Sequence, residues 1–151
     1  MTCKNLIPFK IEHLEQINMR TMDADMFNMF GSDPEVFKIC EAGYGATYTR
    51  DGKIYACGGV YPVWKGVGQA WMIASGDYKK YKLNIGRYMK MAIDTAQKHF
   101  QFKRVQGTVR ADHGEAADFL EWAGFEREGL LKCYGYNGQD HIMYARIDNG
   151  I

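Results

Sequence analysis

Gln69-Ala-Trp-Met-Ile-Ala-Ser75 is followed by Gly76-Asp-Tyr-Lys-Lys-Tyr-Lys-Leu83 and then by Asn84-Ile-Gly-Arg-Tyr-Met-Lys-Met-Ala-Ile-Asp-Thr-Ala-Gln-Lys-His-Phe100. The first run is short, aromatic and branched, which reads as a buried strand. The third places Ile85, Tyr88, Met89, Ala92, Ile93, Ala96 and Phe100 at three-four spacing, with Arg87, Lys90, Asp94 and Lys98 on other faces, which predicts an amphipathic helix over 84–100. Val105 to Arg110 then reads as a second strand. A strand, basic loop, helix and strand in succession imply a right-handed crossover between parallel strands. Ligands of such sheets bind beyond the carboxyl ends of the parallel strands, so the expected site is Ser75 to Arg87.

Downstream, Glu115 to Ala123 reads as a helix ended by Gly124, and Phe125 to Tyr136 as a long strand. Asn137-Gly138 is read as a tight turn into a last strand, Gln139 to Ile147. Upstream, Asp51-Gly52 joins two extended stretches, Tyr44 to Arg50 and Lys53 to Val60; both central residues of such a turn need positive φ. Before them Ser32 and Glu35 have capping-box spacing, Pro34 fits a first helical turn, Val36, Phe37, Ile39 and Cys40 follow, and Gly43 closes the helix. Ile11, Leu14 and Ile17 predict a helix over Ile11 to Met22, preceded by an apolar stretch at Leu6 to Phe9. The predicted order is β-α-α-β-β-β-α-β-α-β-β: a single α/β domain over residues 1–151 with a mixed (α+β) sheet.

Composition agrees with one folded domain. The 151 residues are 46% apolar, 25% charged and 14% aromatic, which excludes disordered, collagenous and low-complexity classes. The net charge of +1 conceals an asymmetry: between Lys79 and Arg110 nine Lys or Arg face one acid, Asp94, and the rest of the chain is acidic. The cysteines Cys3, Cys40, Cys57 and Cys133 form no CxxC pair and the histidines have no ligand spacing, so no metal site and no disulfide framework are expected. Neither serine, Ser32 or Ser75, lies in a Gly-x-Ser-x-Gly elbow, which argues against that hydrolase class. No run is long and apolar enough for a membrane span, and the start MTCKNLIPFK lacks a signal-peptide core, so a cytoplasmic protein without membrane contact is expected.

The chemistry-bearing residues cluster on the same crossover. A helix start presents four unpaired N–H groups and a positive dipole end to an anion, and Lys79, Lys80, Lys82 and Arg87 add full charges beside it. For acid or base work the topology brings Ser75 and His113 toward the cleft, with Asp77 and Tyr134 as lesser candidates. Gly58 and Gly59, inside a predicted strand, signal a bend or the close approach of another group. Met19, Met22, Met26 and Met29 read as adaptable core or lid.

The run Ala116-Ala117-Asp118-Phe119-Leu120-Glu121-Trp122-Ala123-Gly124-Phe125, with the element order, resembles the GCN5-related N-acetyltransferase (GNAT) family. The resemblance implies an acyl-CoA N-acyltransferase-like fold that binds acetyl-coenzyme A without a metal and acylates an amine of a small molecule, a lysine or a protein N-terminus. It implies backbone contacts to pantetheine from Met72, Ile73 and Ala74, and a pyrophosphate cradle over Tyr81 to Arg87, including Asn84 and Gly86. Two positions depart from the family. Only Gly86 survives of the loop's glycines, with Asn84 at the other position, where a left-handed backbone is expected. Leu120 stands where the family commonly has the Tyr that protonates the leaving thiolate. Ala56-Cys57-Gly58-Gly59, with Gly68, Trp71 and Ser75, is similar to small acyltransferase-like proteins of tailed bacteriophages, some of them virion components. The alternatives are therefore an inactive structural or interaction protein of the same fold, in host cytoplasm or virion, and a nucleic-acid binder using segment 79–110. The acidic remainder of the chain opposes the last. The final hairpin offers a sheet edge for a homodimer.

Overall fold

The computed structural model describes residues 4–20, 23, 24, 27 and 34–150. Its strands and helices are β1 (Leu6–Pro8), α1 (Glu12–Gln16), α2 (Pro34–Ile39), β2 (Gly45–Arg50), β3 (Lys53–Trp64), β4 (Val67–Ala74), α3 (Lys82–His99), β5 (Arg104–Arg110), α4 (Gly114–Trp122), β6 (Glu126–Leu131) and β7 (His141–Ile147). A π-helical turn, Cys40–Tyr44, follows α2, and a 3-10 turn, Tyr78–Tyr81, precedes α3. The seven strands form one sheet in the order β1-β2-β3-β4-β5-β7-β6, antiparallel except for the β4/β5 pair that α3 connects.

Alternation along β4 divides the core between the two faces. Trp71 and Ile73 pack with Phe9, Leu14, Phe37 and Cys40 on the side of α1 and α2. Ala74 joins Ile85 and Met89 on the α3 side, where Met72 also packs. Farther along, Ile93 and Ala96 of α3 share a cluster with Val105, Val109 and Leu120. Burying each large apolar side chain of α3 contributes roughly 1.5–3 kcal/mol, so the periodic face identified in the sequence is what holds this helix to the sheet. Gly59 allows a close crossing: a Cβ there would stand 2.2 Å from the Tyr44 carbonyl oxygen. Gly58 is similarly enclosed, 2.9 Å from the Trp71 oxygen, so the close approach is the protein's own packing.

Four expectations change. The helix expected over Ile11 to Met22 is only Glu12–Gln16, because Ile17 turns extended (φ −82°, ψ 134°). The chain beyond it runs along β4, and Met19 bridges Ser75; a sheet edge needing partners outcompetes a marginal helix. The long strand expected to Tyr136 ends at Leu131, and Cys133 takes φ +56°. Asn137-Gly138 is part of a broader loop closed by Gly135 N–H to Gln139 O at 2.9 Å, with only Gly138 of the two at positive φ. Asn84 lies inside right-handed α3, not in a left-handed conformation. Ser32, Met22, Met26 and Met29 lie outside the described residues.

Candidate functional site

Strands β4 and β5 pair only through Val67–Gln69 and Arg104–Gln106. Beyond that they part, while β5 stays paired to β7 as far as Arg110 opposite His141. The parting leaves one edge of β4 without a strand partner. Ser75 donates its N–H to Tyr55 O across β3 at 2.9 Å. By the two-residue alternation Ile73 also faces β3, whereas Met72 and Ala74 direct their backbone groups to the open edge.

That edge is only partly open. The Asp23 carboxylate accepts the Ala74 N–H at 2.7 Å, and the Ala74 carbonyl accepts the Arg20 N–H at 2.8 Å. Of the three residues expected to offer backbone groups to a ligand, Met72 alone is placed to do so. Ile73 and Ala74 are fully buried and already paired.

Two spaces share Met72 in their walls. A cavity of about 70 Å³ lies between the diverging strands, lined by Met72, Gly107, Val109, Leu120, Asp23 and His113 among others. A groove of about 380 Å³ lies beside it at the start of α3, bounded by Lys82, Gly86 and Arg87 on one side and by Glu115, Phe119 and Trp122 on the other. Arg20, Met72, Ala116 and Phe119 border both. No side chain caps the N-terminus of α3, but the preceding 3-10 turn takes up its first amide, the Lys82 N–H donating to the Lys79 carbonyl, so what this end offers an anion is its positive dipole end with Lys82 and Arg87 beside it. Gly86 leaves room at the groove floor: the nearest atom to a Cβ there is Phe119 Cε2, at 4.0 Å.

The basic segment is less free than its charge count implies. Lys79 Nζ lies 3.4 Å from Glu115, Lys90 3.0 Å from Asp94, and Arg110 2.9 Å from Asp112. Lys80 stands over the Tyr81 ring. Lys82 and Arg87 are the basic residues of this segment that face the groove.

The two acid-base candidates separate. Ser75 is fully buried, donates its hydroxyl to Asp77 at 2.7 Å and borders neither space. Asp77 pairs with Lys53, and that bond, followed by the one from Ser75, holds its carboxyl below the usual range. His113 is in the cavity wall. Its side chain is only 10% exposed, its Nε2 lies 3.7 Å from Asp23 Oδ1, and no hydrogen bond reaches that nitrogen. Tyr134 sits in the loop after β6, packed against the His141 ring, and lines neither space.

Arg20, Asp23 and Tyr78 carry weight that sequence reading did not assign. Arg20 grips Asp23 with Nε at 2.9 Å and Nη2 at 3.1 Å, and its guanidinium lies 4.5 Å over the Tyr78 ring. Burial acts to raise the Asp23 carboxyl, but the neighbouring His113 ring, Arg20 and the Ala74 amide together hold it below its ordinary value. Arg-x-x-Asp is too common a spacing to single out. The Tyr78 hydroxyl is buried without a partner and borders the groove. An unpaired buried hydroxyl is costly, so this one fits a ligand that completes it. The two spaces thus present a helix start with two cations at one end, a strand edge in the middle and a mainly apolar chamber at the other. Among the described residues there is no group of His, Cys, Asp and Glu that could hold a metal, and no helix is long and apolar enough to cross a membrane.

No protein-family profile matches the chain, and no curated protein matches it by sequence. Solved structures do match by shape. The ribosomal-protein-S5-alanine acetyltransferase of Vibrio fischeri superposes with a TM-score of 0.69 at 13% identity, covering 99% of this chain and 96% of its own. A GNAT-family acetyltransferase of Bacillus anthracis gives 0.67 at 12%, covering 97% and 96%. Ard1 of Thermoplasma volcanium gives 0.68 at 16%, covering 94% and 95%. With a seven-stranded mixed sheet parted at β4 and β5, the chain has the fold of the GNAT acetyltransferases over nearly its whole length.

Proposed function

We propose that this protein is an N-acyltransferase that takes an acetyl group from acetyl-coenzyme A and passes it to a primary amine. The observation that carries the reading is that the groove at the α3 N-terminus and the cavity between the parted strands lie side by side, with Met72, Arg20, Ala116 and Phe119 in the walls of both. The coenzyme's phosphates meet the first turn of α3 with Lys82 and Arg87. Its pantetheine arm follows the groove and takes the place of the missing strand beside the Met72 backbone. Acetyl-coenzyme A supplies an activated acyl group as a thioester; the chain's part is to bind it, aim the carbonyl and exclude water.

A second reading is an acyltransferase fold kept for structure or interaction alone. It draws on Leu120, an apolar side chain buried in the cavity wall, and on the Ala74 edge closed by Asp23 and Arg20. Thermal unfolding with acetyl-coenzyme A separates the readings from one in which no cofactor binds. Ligand at a hundred times its Kd stabilises by about 2.7 kcal/mol, a rise of several degrees in Tm for a domain of this size. No rise at millimolar ligand overturns the cofactor claim. A rise without thiol release in the presence of amines favours the non-catalytic reading.

A further inference from the structure

We infer that Asp23 and His113 act as a pair that handles the protons of acyl transfer, a role that rests on the acyltransferase reading above. His113 is the N-cap residue of α4, yet its ring makes no capping bond and is turned into the cavity wall. Its Nε2 is buried and lacks a hydrogen bond, and the nearest acceptor is Asp23 Oδ1 at 3.7 Å. Asp23 itself is 2% exposed and cannot swing away. Arg20 holds both of its oxygens, and the Ala74 N–H holds Oδ2. The carboxylate is therefore a fixed negative group facing one ring nitrogen of a buried histidine.

A carboxylate facing Nε2 favours the tautomer with the proton on Nε2 and leaves Nδ1 basic. Shortening the 3.7 Å gap by less than 1 Å completes that bond, and catalytic hydrogen bonds are commonly longer before ligands bind. Acyl transfer from a thioester to an ammonium form must dispose of two protons. Nδ1 takes the first and passes it to solvent, freeing the nitrogen lone pair. As the C–N bond forms and the C–S bond breaks, Nδ1 takes the second from the same nitrogen and returns it to the leaving thiolate. The products are the amide, the free thiol and one proton released. The same group then does the work that a tyrosine at position 120 would do, which Leu120 cannot.

Asp23 faces the His113 ring; Arg20, Arg110 of β5 and His141 of β7 share the cavity wall with it, and Asp112 and Glu115 flank it in sequence. A pH profile alone does not name the residue, so the test joins a spectroscopic readout to kinetics. In protein labelled with ¹⁵N-histidine, the expected spectrum of the neutral ring shows His113 protonated on Nε2 and bare on Nδ1. Asp23→Asn mixes the two tautomers. Thiol release from acetyl-coenzyme A with n-butylamine as acceptor falls about 10²–10⁴-fold in His113→Asn and loses its acid limb. Asn is a favoured N-cap, so α4 keeps its start, and the acetyl-coenzyme A melting shift is unchanged. A His113 protonated on Nδ1, or rates in His113→Asn equal to the wild-type ones, overturns the pair while leaving the cofactor reading standing. No melting shift in the wild-type protein overturns that reading and the pair with it.

Discussion

The Asp23 carboxylate accepts the backbone N–H of Ala74 at 2.7 Å across fifty-one residues of sequence, and so closes the strand edge at the mouth of the parted sheet. Arg20 neutralises the same carboxylate from the other side and caps the Ala74 carbonyl through its own N–H. One short segment thereby decides how much of β4 remains for a ligand.

Asp23→Asn keeps an acceptor for Ala74 but removes the buried counter-charge of Arg20, whose side chain is 12% exposed, leaving it only the more distant and more exposed Glu115 at 3.7 Å. Breaking such a pair from one side costs about 3–5 kcal/mol, seen as a lower urea midpoint at pH 7 with an unchanged slope. The Asp23 carboxyl sits below its ordinary 3.8 in the folded protein. Its contribution is therefore complete above that value and is lost as pH falls through the lower folded one. The wild-type advantage over Asp23→Asn should hold from pH 7 to about pH 4 and shrink below it. Equal midpoints at pH 7 would show that the pair stabilises nothing.

Gly86→Ala separates helix stability from ligand access. In α3 an alanine is worth up to about 1 kcal/mol over glycine, and the added Cβ meets nothing nearer than 4.0 Å. The free protein should melt a few degrees higher, while the added methyl at the groove floor reduces the shift produced by coenzyme A. A variant that is stabilised and binds coenzyme A as well as the wild type would remove Gly86 from the groove's contacts.

Gly59→Ala should be among the most damaging glycine changes. Its Cβ would lie 2.2 Å from the Tyr44 oxygen and 2.7 Å from the Gly45 Cα, both backbone atoms that cannot turn aside. Overpacking of this kind costs about 1–3 kcal/mol or more. Gly129→Ala, with nothing within 4 Å, is the control and should move the midpoint by only a few tenths.

Thiol reactivity should follow burial. Burial pushes the Cys40 thiol up to about 12 and Cys57 to about 11, the bonds from Trp71 and Thr47 only partly offsetting it, while Cys133 is exposed. In a Cys3→Ser background, Ellman's reagent at pH 8 should therefore titrate one thiol in the folded protein and three after denaturation. Fast modification of Cys57 in the native state would contradict its enclosed position.

Much of the frame was legible because its signals are local. The three-four spacing from Ile85 to Phe100 found α3 to within two residues, and Asp51-Gly52 forms its turn with φ +52° and +78°, as the dipeptide demands. Asn137-Gly138 misled for an equally local reason: the dipeptide permits a tight turn but does not compel one, and Cys133 at positive φ ends β6 before the turn is reached. Of the site, the α3 start with Lys82, Gly86 and Arg87 was readable, since a helix N-terminus with nearby cations declares itself in sequence. Ser75 was not distinguishable from His113, because both follow strands that end at the same cleft; only burial directs one hydroxyl to Asp77 and one imidazole to the cavity.

The sequence by itself determined the order of elements, the parallel crossover and the basic helix start, since periodicity, turn residues and charge act within a few residues of one another. Tertiary structure alone decided which part of β4 stays open, that Arg20 and Asp23 cap Ala74, and that His113 faces a fixed carboxylate. Those contacts join segments fifty to ninety residues apart, and they arise because an unpaired strand edge and a buried charge must find partners wherever the fold brings them.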